Sequence, residues 1–212
     1  MCGRFSLTVT SKILFSHFAV EGPDFEPRYN IAPSQEIIII REDLPQKISY
    51  AKWGLIPHWA KEKTYAMINA RAETVDKKPA YKSSFRSKRC LIPADSFYEW
   101  KEKIPYRYMM QDETPFAFAG IWDEWKRDNQ VLITCSIITT EANSLVKKIH
   151  DRMPVILENP RLYLEIDEDG ALKMLKPFDP KKMKSYKLSK IINSPKNDHR
   201  DVIKPMTDLS DF

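Results

Sequence analysis

The chain has 212 residues, 42% of them hydrophobic and 30% charged, with a formal net charge of +5. That is enough apolar material for one substantial core, and 1–212 reads as a single domain with a well-solvated surface. The longest apolar run, Ile37 to Ile40, is far too short to span a bilayer, and polar residues from Arg4 to Lys12 interrupt any signal-like stretch, so no membrane partner is expected.

Taken in chain order, 10–18 reads as a short helix with Ile13, Leu14 and Phe18 on one side. Residues 36–41 and 48–53 flank a proline-containing turn and read as a hairpin. The stretch 72–86 is helical in pieces. Five strands are then expected at 89–93, 96–102, 105–111, 116–122 and 130–138, short helices at 141–149 and 160–165, and a late strand at 184–189. Sequential strands with outlying short helices predict an α+β domain: a largely antiparallel β-sheet or barrel-like core with peripheral short helices.

Three cysteines without a Cys-x-x-Cys argue against a disulfide framework or a cysteine zinc site; separately, no metal and no organic cofactor is expected. Cys90 and Cys135 lie in apolar runs and read as core thiols, as fits a reducing cytosol. No G-x-G-x-x-G, Walker, Ser-His-Asp or H-E-x-x-H pattern occurs, which leaves nucleotide-binding and hydrolase readings of those kinds unsupported. The segment 77–89, KKPAYKSSFRSKR, has six basic residues, no acidic one, and Tyr81 and Phe85 between them. It reads equally as a nucleic-acid surface or a solvated loop-helix face.

Cys2 is the most informative residue. Aminopeptidases generally remove a Met that precedes a small residue, which would leave Cys2 with a free α-amine (pKa ~8) and a thiol (pKa ~8.5) two carbons apart. Such a 1,2-aminothiol condenses with an aldehyde to an imine and then closes to a thiazolidine; the bland alternative is only a small residue after Met. Arg4 could hold a phosphate nearby. Asn69 could orient an amine or a carbinolamine oxygen, or cap a helix. Glu99, among the aromatics of FYEW, could be a general acid, or could face water on an alternating strand. His150, beside Asp151 and Arg152, could shuttle protons or be structural. His17, His58 and His199 lack comparable company.

Together these segments resemble the SRAP family (SOS-response-associated peptidase). The resemblance rests on MCGRF at 1–5, RYNIAPSQ at 28–35, WGLIPHW at 53–59, NARAET at 69–74, RCLIPADSFYEW at 89–100, HDRMPVIL at 150–157 and NSPKND at 193–198. It implies the family's fold and covalent capture of abasic sites in single-stranded DNA, or at a single-strand/duplex junction. Cys2 is then the nucleophile, Asn69 positions the N-terminus, and Glu99 and His150 move protons, His150 during sugar opening. Arg4, Arg71 and Arg152 are implied phosphate contacts, Pro33 and Trp59 pack against bases, and Thr139 is a further backbone contact. The imine stage opens a route to β-elimination and hence a weak lyase activity. A cytoplasmic monomer is expected, nucleoid-associated if bacterial. Two rivals stand beside this: a Cys2-dependent peptidase or autoprocessing protein, and a non-catalytic single-stranded DNA binder. Two departures from the family's pattern are Ser34, where Thr is expected, and Ser96, where Gly is expected and a backbone with positive φ would strain the serine.

Overall fold

The computed structural model describes residues 2–62, 66–127 and 129–206. Strands β1 (Phe5–Leu7) and β2 (Arg28–Ile31) are separated by helix α1 (Ser11–Phe18), which Thr10 caps by accepting from the Ile13 N–H. The expected hairpin forms as β3 (Glu36–Arg41) and β4 (Ile48–Trp53). All four isoleucines of β3 are buried, so both faces of that strand are covered. Next come the short β5 (Asn69–Arg71), a 3₁₀ turn at Ala72–Thr74, and α2 (Pro79–Ser87). Five longer strands follow: β6 (Arg89–Ala94), β7 (Ser96–Lys101), β8 (Ile104–Met110), β9 (Phe116–Arg127) and β10 (Gln130–Glu141). The chain ends through β11 (Arg152–Pro154), α3 (Pro160–Glu165), α4 (Glu168–Met174) and β12 (Met183–Lys187), with 3₁₀ turns beyond.

One sheet runs β12-β8-β7-β1-β2, antiparallel throughout. The other closes on itself. The order β10-β4-β3-β6-β9 returns to β10, because Thr134 pairs with Lys52 of β4 on one edge and with Asp123 of β9 on the other. Closure removes the exposed edges that an open sheet would have to protect. The barrel is antiparallel except at β4–β10, and the expected α+β, barrel-like architecture with short outlying helices is the one observed. Further along β10 both edges are used again: Thr139 pairs with Arg71 of β5 on one side and Pro154 of β11 on the other. The two sheets meet at Phe5, whose ring lies edge-on to Trp53 at 5.2 Å and Phe118 at 5.7 Å. Cys90 and Cys135 are buried thiols, as expected.

The expected helix over 141–149 is a correction. The strand β10 extends to Glu141, and only Val146–Lys148 forms a 3₁₀ turn. Pairing with β11 keeps β10 extended to Glu141, and Asn143 then caps the short turn, its Oδ1 accepting from the N–H groups of Leu145 (3.1 Å) and Val146 (3.0 Å). The basic segment 77–89 is also corrected in part. Tyr81 and Phe85 point into the core, Lys88 pairs with Asp123, and Arg89 donates to the carbonyls of Phe85, Tyr163 and Ile166. Only Lys77, Lys78, Lys82 and Arg86 present charge to solvent, and the aromatics are not stacking platforms. Ser96 carries no positive φ, unlike Ser34 (φ 71°), so the expected strain is absent. The Ser96 hydroxyl instead accepts from Arg107 Nε at 2.8 Å.

Candidate active site

The N-terminus runs into β1, and β1 lies against β7, so the first residues are carried alongside FYEW. The pairing extends past Phe5 to Arg4, whose carbonyl accepts from the Tyr98 N–H at 3.0 Å. Cys2 is wholly buried, and burial and the neighbouring Glu99 carboxylate push its thiol far above the ordinary range. The sulfur is therefore a protonated thiol at neutral pH, and would need a base beside it to react.

Asn69 does not cap a helix. It begins β5, and its Nδ2 donates to the Cys2 carbonyl at 2.8 Å. Its Oδ1 is buried and has no hydrogen-bond partner among the described residues, an acceptor aimed at no protein donor. Glu99 does not face water: it is 3% exposed. Burial raises its pKa to about 7, partly offset by the positive charge of the chain's amino terminus. A carboxyl at that value both gives and takes protons near neutrality. The alternation read in FYEW misleads because Phe97, Tyr98 and Glu99 are all buried, the strand being covered on both faces.

His150 follows the 3₁₀ turn and is half-buried. Lys101, at the end of β7, donates to the Lys148 carbonyl (3.2 Å) and ties that strand to the turn leading into His150. Burial lowers the imidazole's pKa, the amino terminus lowering it further. Its Nδ1 accepts from the Arg152 N–H at 3.0 Å, so the neutral ring carries its proton on Nε2. Glu99 acts on the Cys2 thiol and Asn69 holds the Cys2 carbonyl, so these three residues lie together. Two cavities of about 380 and 490 Å³ meet at Leu157, Glu158 and Phe178, and none of these site residues lines them. Among the described residues no group of three or more His, Cys, Asp or Glu gathers as a metal site would require.

The residues expected to touch DNA fall into two sets. Trp59 is 55% exposed, Arg71 is exposed and Pro33 half-buried in the turn before β3. The others are engaged internally. Arg4 donates to Asn30 Oδ1 (2.6 Å) and to the Ile192 carbonyl (3.1 Å), clamping the C-terminal turn against β2. Thr139 is fully buried, with its hydroxyl beside the Ala70 carbonyl. Arg152 grips Glu73 through both terminal nitrogens (2.5 and 3.0 Å) and donates to the Thr139 carbonyl at 2.7 Å.

Three interactions were missed. Glu73 lies in NARAET, four residues after Asn69, and the charge complement of Arg152 was its only sequence signal. Tyr81 donates from α2 to the Asn69 carbonyl at 3.2 Å. His58 does have company: its ring and its N–H both engage the buried Asp123, 65 residues away in sequence. Nothing local marks such long-range partners.

Residues 1–195 match the SOS response associated peptidase (SRAP) family. The chain is 44% identical over 96% of its length, and 99% of the relative's, to "Abasic site processing protein YoqW" of Bacillus subtilis. It is 30% identical to "Abasic site processing protein HMCES" of Xenopus tropicalis, over 82% of this chain and 64% of that one. A solved structure of a Bacteroides thetaiotaomicron protein superposes with a TM-score of 0.88 at 27% identity, covering 97% of this chain and all of that one.

Proposed function

The chain belongs to the SRAP family, and from that premise we propose that it processes abasic sites in DNA by joining its own N-terminal cysteine to them. The observation that carries the proposal is the hydrogen bond from Asn69 Nδ2 to the Cys2 carbonyl, which fixes the chain's first residues against a buried proton carrier, Glu99. With Met1 removed, Cys2 offers an amine and a thiol to the aldehyde of a ring-opened abasic sugar. The relatives' names support abasic DNA as the target.

His150 Nε2–H donates to the sugar ring oxygen as the ring opens. The Cys2 amine attacks the aldehyde carbon to give a carbinolamine, whose hydroxyl leaves as water with a proton from Glu99, forming the imine. Asn69 Oδ1 accepts from the amine and keeps its lone pair directed at the carbon. The thiol then adds to the carbon of the protonated imine, its proton returning to the Glu99 carboxylate while the nitrogen keeps the hydrogen it already carries. A thiazolidine and one water are the net products. The raised pKa of the thiol suits this order, because sulfur loses its proton only as it bonds. One adduct per protein molecule makes the reaction single-turnover, and β-elimination from the imine would be a weak lyase side reaction.

Trp59 stacks on a base and Arg71 meets a phosphate, so the partner is single-stranded DNA or a junction with a single-stranded arm. Trp59→Ala should weaken single-strand binding by about 1–3 kcal/mol, with little change in melting temperature because the ring is exposed; fluorescence anisotropy and a thermal melt check this pair of outcomes.

The decisive experiment incubates the untagged protein with single-stranded DNA carrying one abasic site and takes an intact mass. A denaturation-resistant species lacking Met1 and carrying the DNA is expected. A fully active variant with residues placed before Cys2 would contradict the mechanism, because its amine would no longer adjoin the thiol. Peptide turnover without any adduct would instead favour a Cys2 peptidase, and salt-sensitive binding alone a simple DNA binder.

A further inference from the structure

The segment 54–60 carries Trp59 along the barrel wall, over β9 and β10, and every second residue of it is fastened to the strands beneath. The Gly54 N–H donates to the Cys135 carbonyl (2.9 Å) and the Ile56 N–H to Thr134 Oγ1 (3.0 Å). The His58 N–H donates to Asp123 Oδ2 (2.7 Å), and the Ala60 carbonyl accepts from Trp125 Nε1 (2.9 Å). Ile56 and Ala60 are buried against Trp125 and Leu132. Trp59 thus lies between two fastened residues, while its own side chain is left exposed. Asp123 and Trp125 are two residues apart on β9 and share one face of it. Asp123 is buried, a costly place for a carboxylate unless its oxygens are fully engaged. They accept from the His58 N–H, the His58 ring Nδ1 (3.0 Å), Lys88 Nζ (2.5 Å) and the Glu124 N–H (2.9 Å). The chemistry at Cys2 makes no use of this carboxylate.

We propose that Asp123 and Trp125 are positioning residues for DNA binding: from one face of β9 they hold the backbone on either side of Trp59 and so fix the direction of the indole that stacks on a base. This rests on the reading of Trp59 as a stacking residue given above. An indole on a loose loop has to be ordered as the DNA binds, which weakens affinity, whereas one on a pinned loop is ordered beforehand. The charge of Asp123 makes the idea separable from electrostatics. A negative charge near a DNA surface opposes binding, so its loss by itself tightens the complex, and it also releases the Lys88 cation from its pair. A weaker complex on neutralising Asp123 therefore reports a change of geometry.

The test is a double-mutant cycle on the affinity for undamaged single-stranded DNA, read by fluorescence anisotropy well below each variant's melting temperature. Asp123→Asn keeps the volume and loses the charge. Trp125→Phe keeps an apolar ring and loses the N–H donor, and it carries the test alone if Asp123→Asn does not fold. Each is made in the wild-type chain and again beside Trp59→Ala. With Trp59 present, each should weaken binding about 3-fold or more, and neither by more than Trp59→Ala does. Beside Trp59→Ala, the same substitutions should weaken binding by less than about 2-fold, because the ring they orient is gone. A general loosening of the fold would not be confined to chains that carry Trp59. Equal losses with and without Trp59, or unchanged or tighter binding in both single variants, overturn the proposal. Unchanged affinity in Trp59→Ala itself overturns instead the stacking reading on which it rests.

Discussion

Cys2→Ala loses adducts that survive denaturation down to background, while its salt-sensitive affinity for undamaged single-stranded DNA stays close to wild type. The amine remains in this variant once Met1 is gone, so an imine can still form, and reduction with borohydride should trap it. That separates the two functional groups of one residue: nitrogen gives the reversible bond and sulfur the lasting one. The substitution also empties a buried site, since Cys2 is 0% exposed, and a stability loss of about 1 kcal/mol should accompany it. Cys2→Ser keeps the volume but buries a hydroxyl, and should be no better at lasting capture, because a hydroxyl is the poorer nucleophile at neutral pH. Lasting adducts at wild-type rates from either variant would remove sulfur from the mechanism.

Glu99→Gln has the second large effect, and it acts in opposite directions on rate and stability. A glutamine can neither supply the proton that releases water nor take the one that leaves the thiol, so adduct formation should slow by about 10²–10⁴-fold. Stability should rise. The carboxyl's pKa moves from 4.5 in the unfolded chain to about 7 in the folded one, chiefly through burial. The folded state therefore binds the proton more tightly. Below pH 4.5 the group is neutral in both states and costs nothing. As pH rises from 4.5 through about 7 the unfolded chain ionises first and the native state is progressively penalised. The full penalty, about 3 kcal/mol, is reached above that range. Glu99→Gln should be more stable than wild type by up to that amount at pH 8, and no more stable at pH 4. Denaturant melts at the two pH values measure it. Equal gains at both would mean that the carboxyl is not the titrating group. The wild-type adduct rate should also inflect near pH 7, and that inflection should disappear in the glutamine variant. A buried acid retained at such a cost fits a site selected for proton transfer rather than for packing.

The long elements were legible in the sequence because their patterns are local. The hairpin of β3 and β4, the strands β6 to β10, and the helices α1 and α3 all follow from apolar periodicity and from Thr, Pro and Asn near their ends. Strands β1, β2, β5 and β11 were not, for a physical reason: at three or four residues they contain no full alternation, and they exist only because a neighbouring strand offers a ladder. Yet β1 and β5 carry Cys2 and Asn69 to the site. The segments most important for function are thus the least predictable as structure.

The sequence by itself determined which chemistry is available. An aminothiol can arise only at an N-terminal cysteine, and a glutamate among aromatics and a histidine in HDRMP are titratable groups able to exchange protons near neutral pH if their surroundings tune them. Seven ordered motifs also sufficed to identify the family, because their joint occurrence is improbable by chance. Only the tertiary structure decided which alternatives hold at each residue. Glu99 is buried rather than solvated, Asn69 is a strand residue on the Cys2 carbonyl rather than a cap, Thr139 is covered, and Arg152 is paired with Glu73. Burial and pairing are properties of segments 67 to 79 residues apart in the chain. They depend on closure of the barrel around β10, and a residue's sequence neighbours carry no record of that closure.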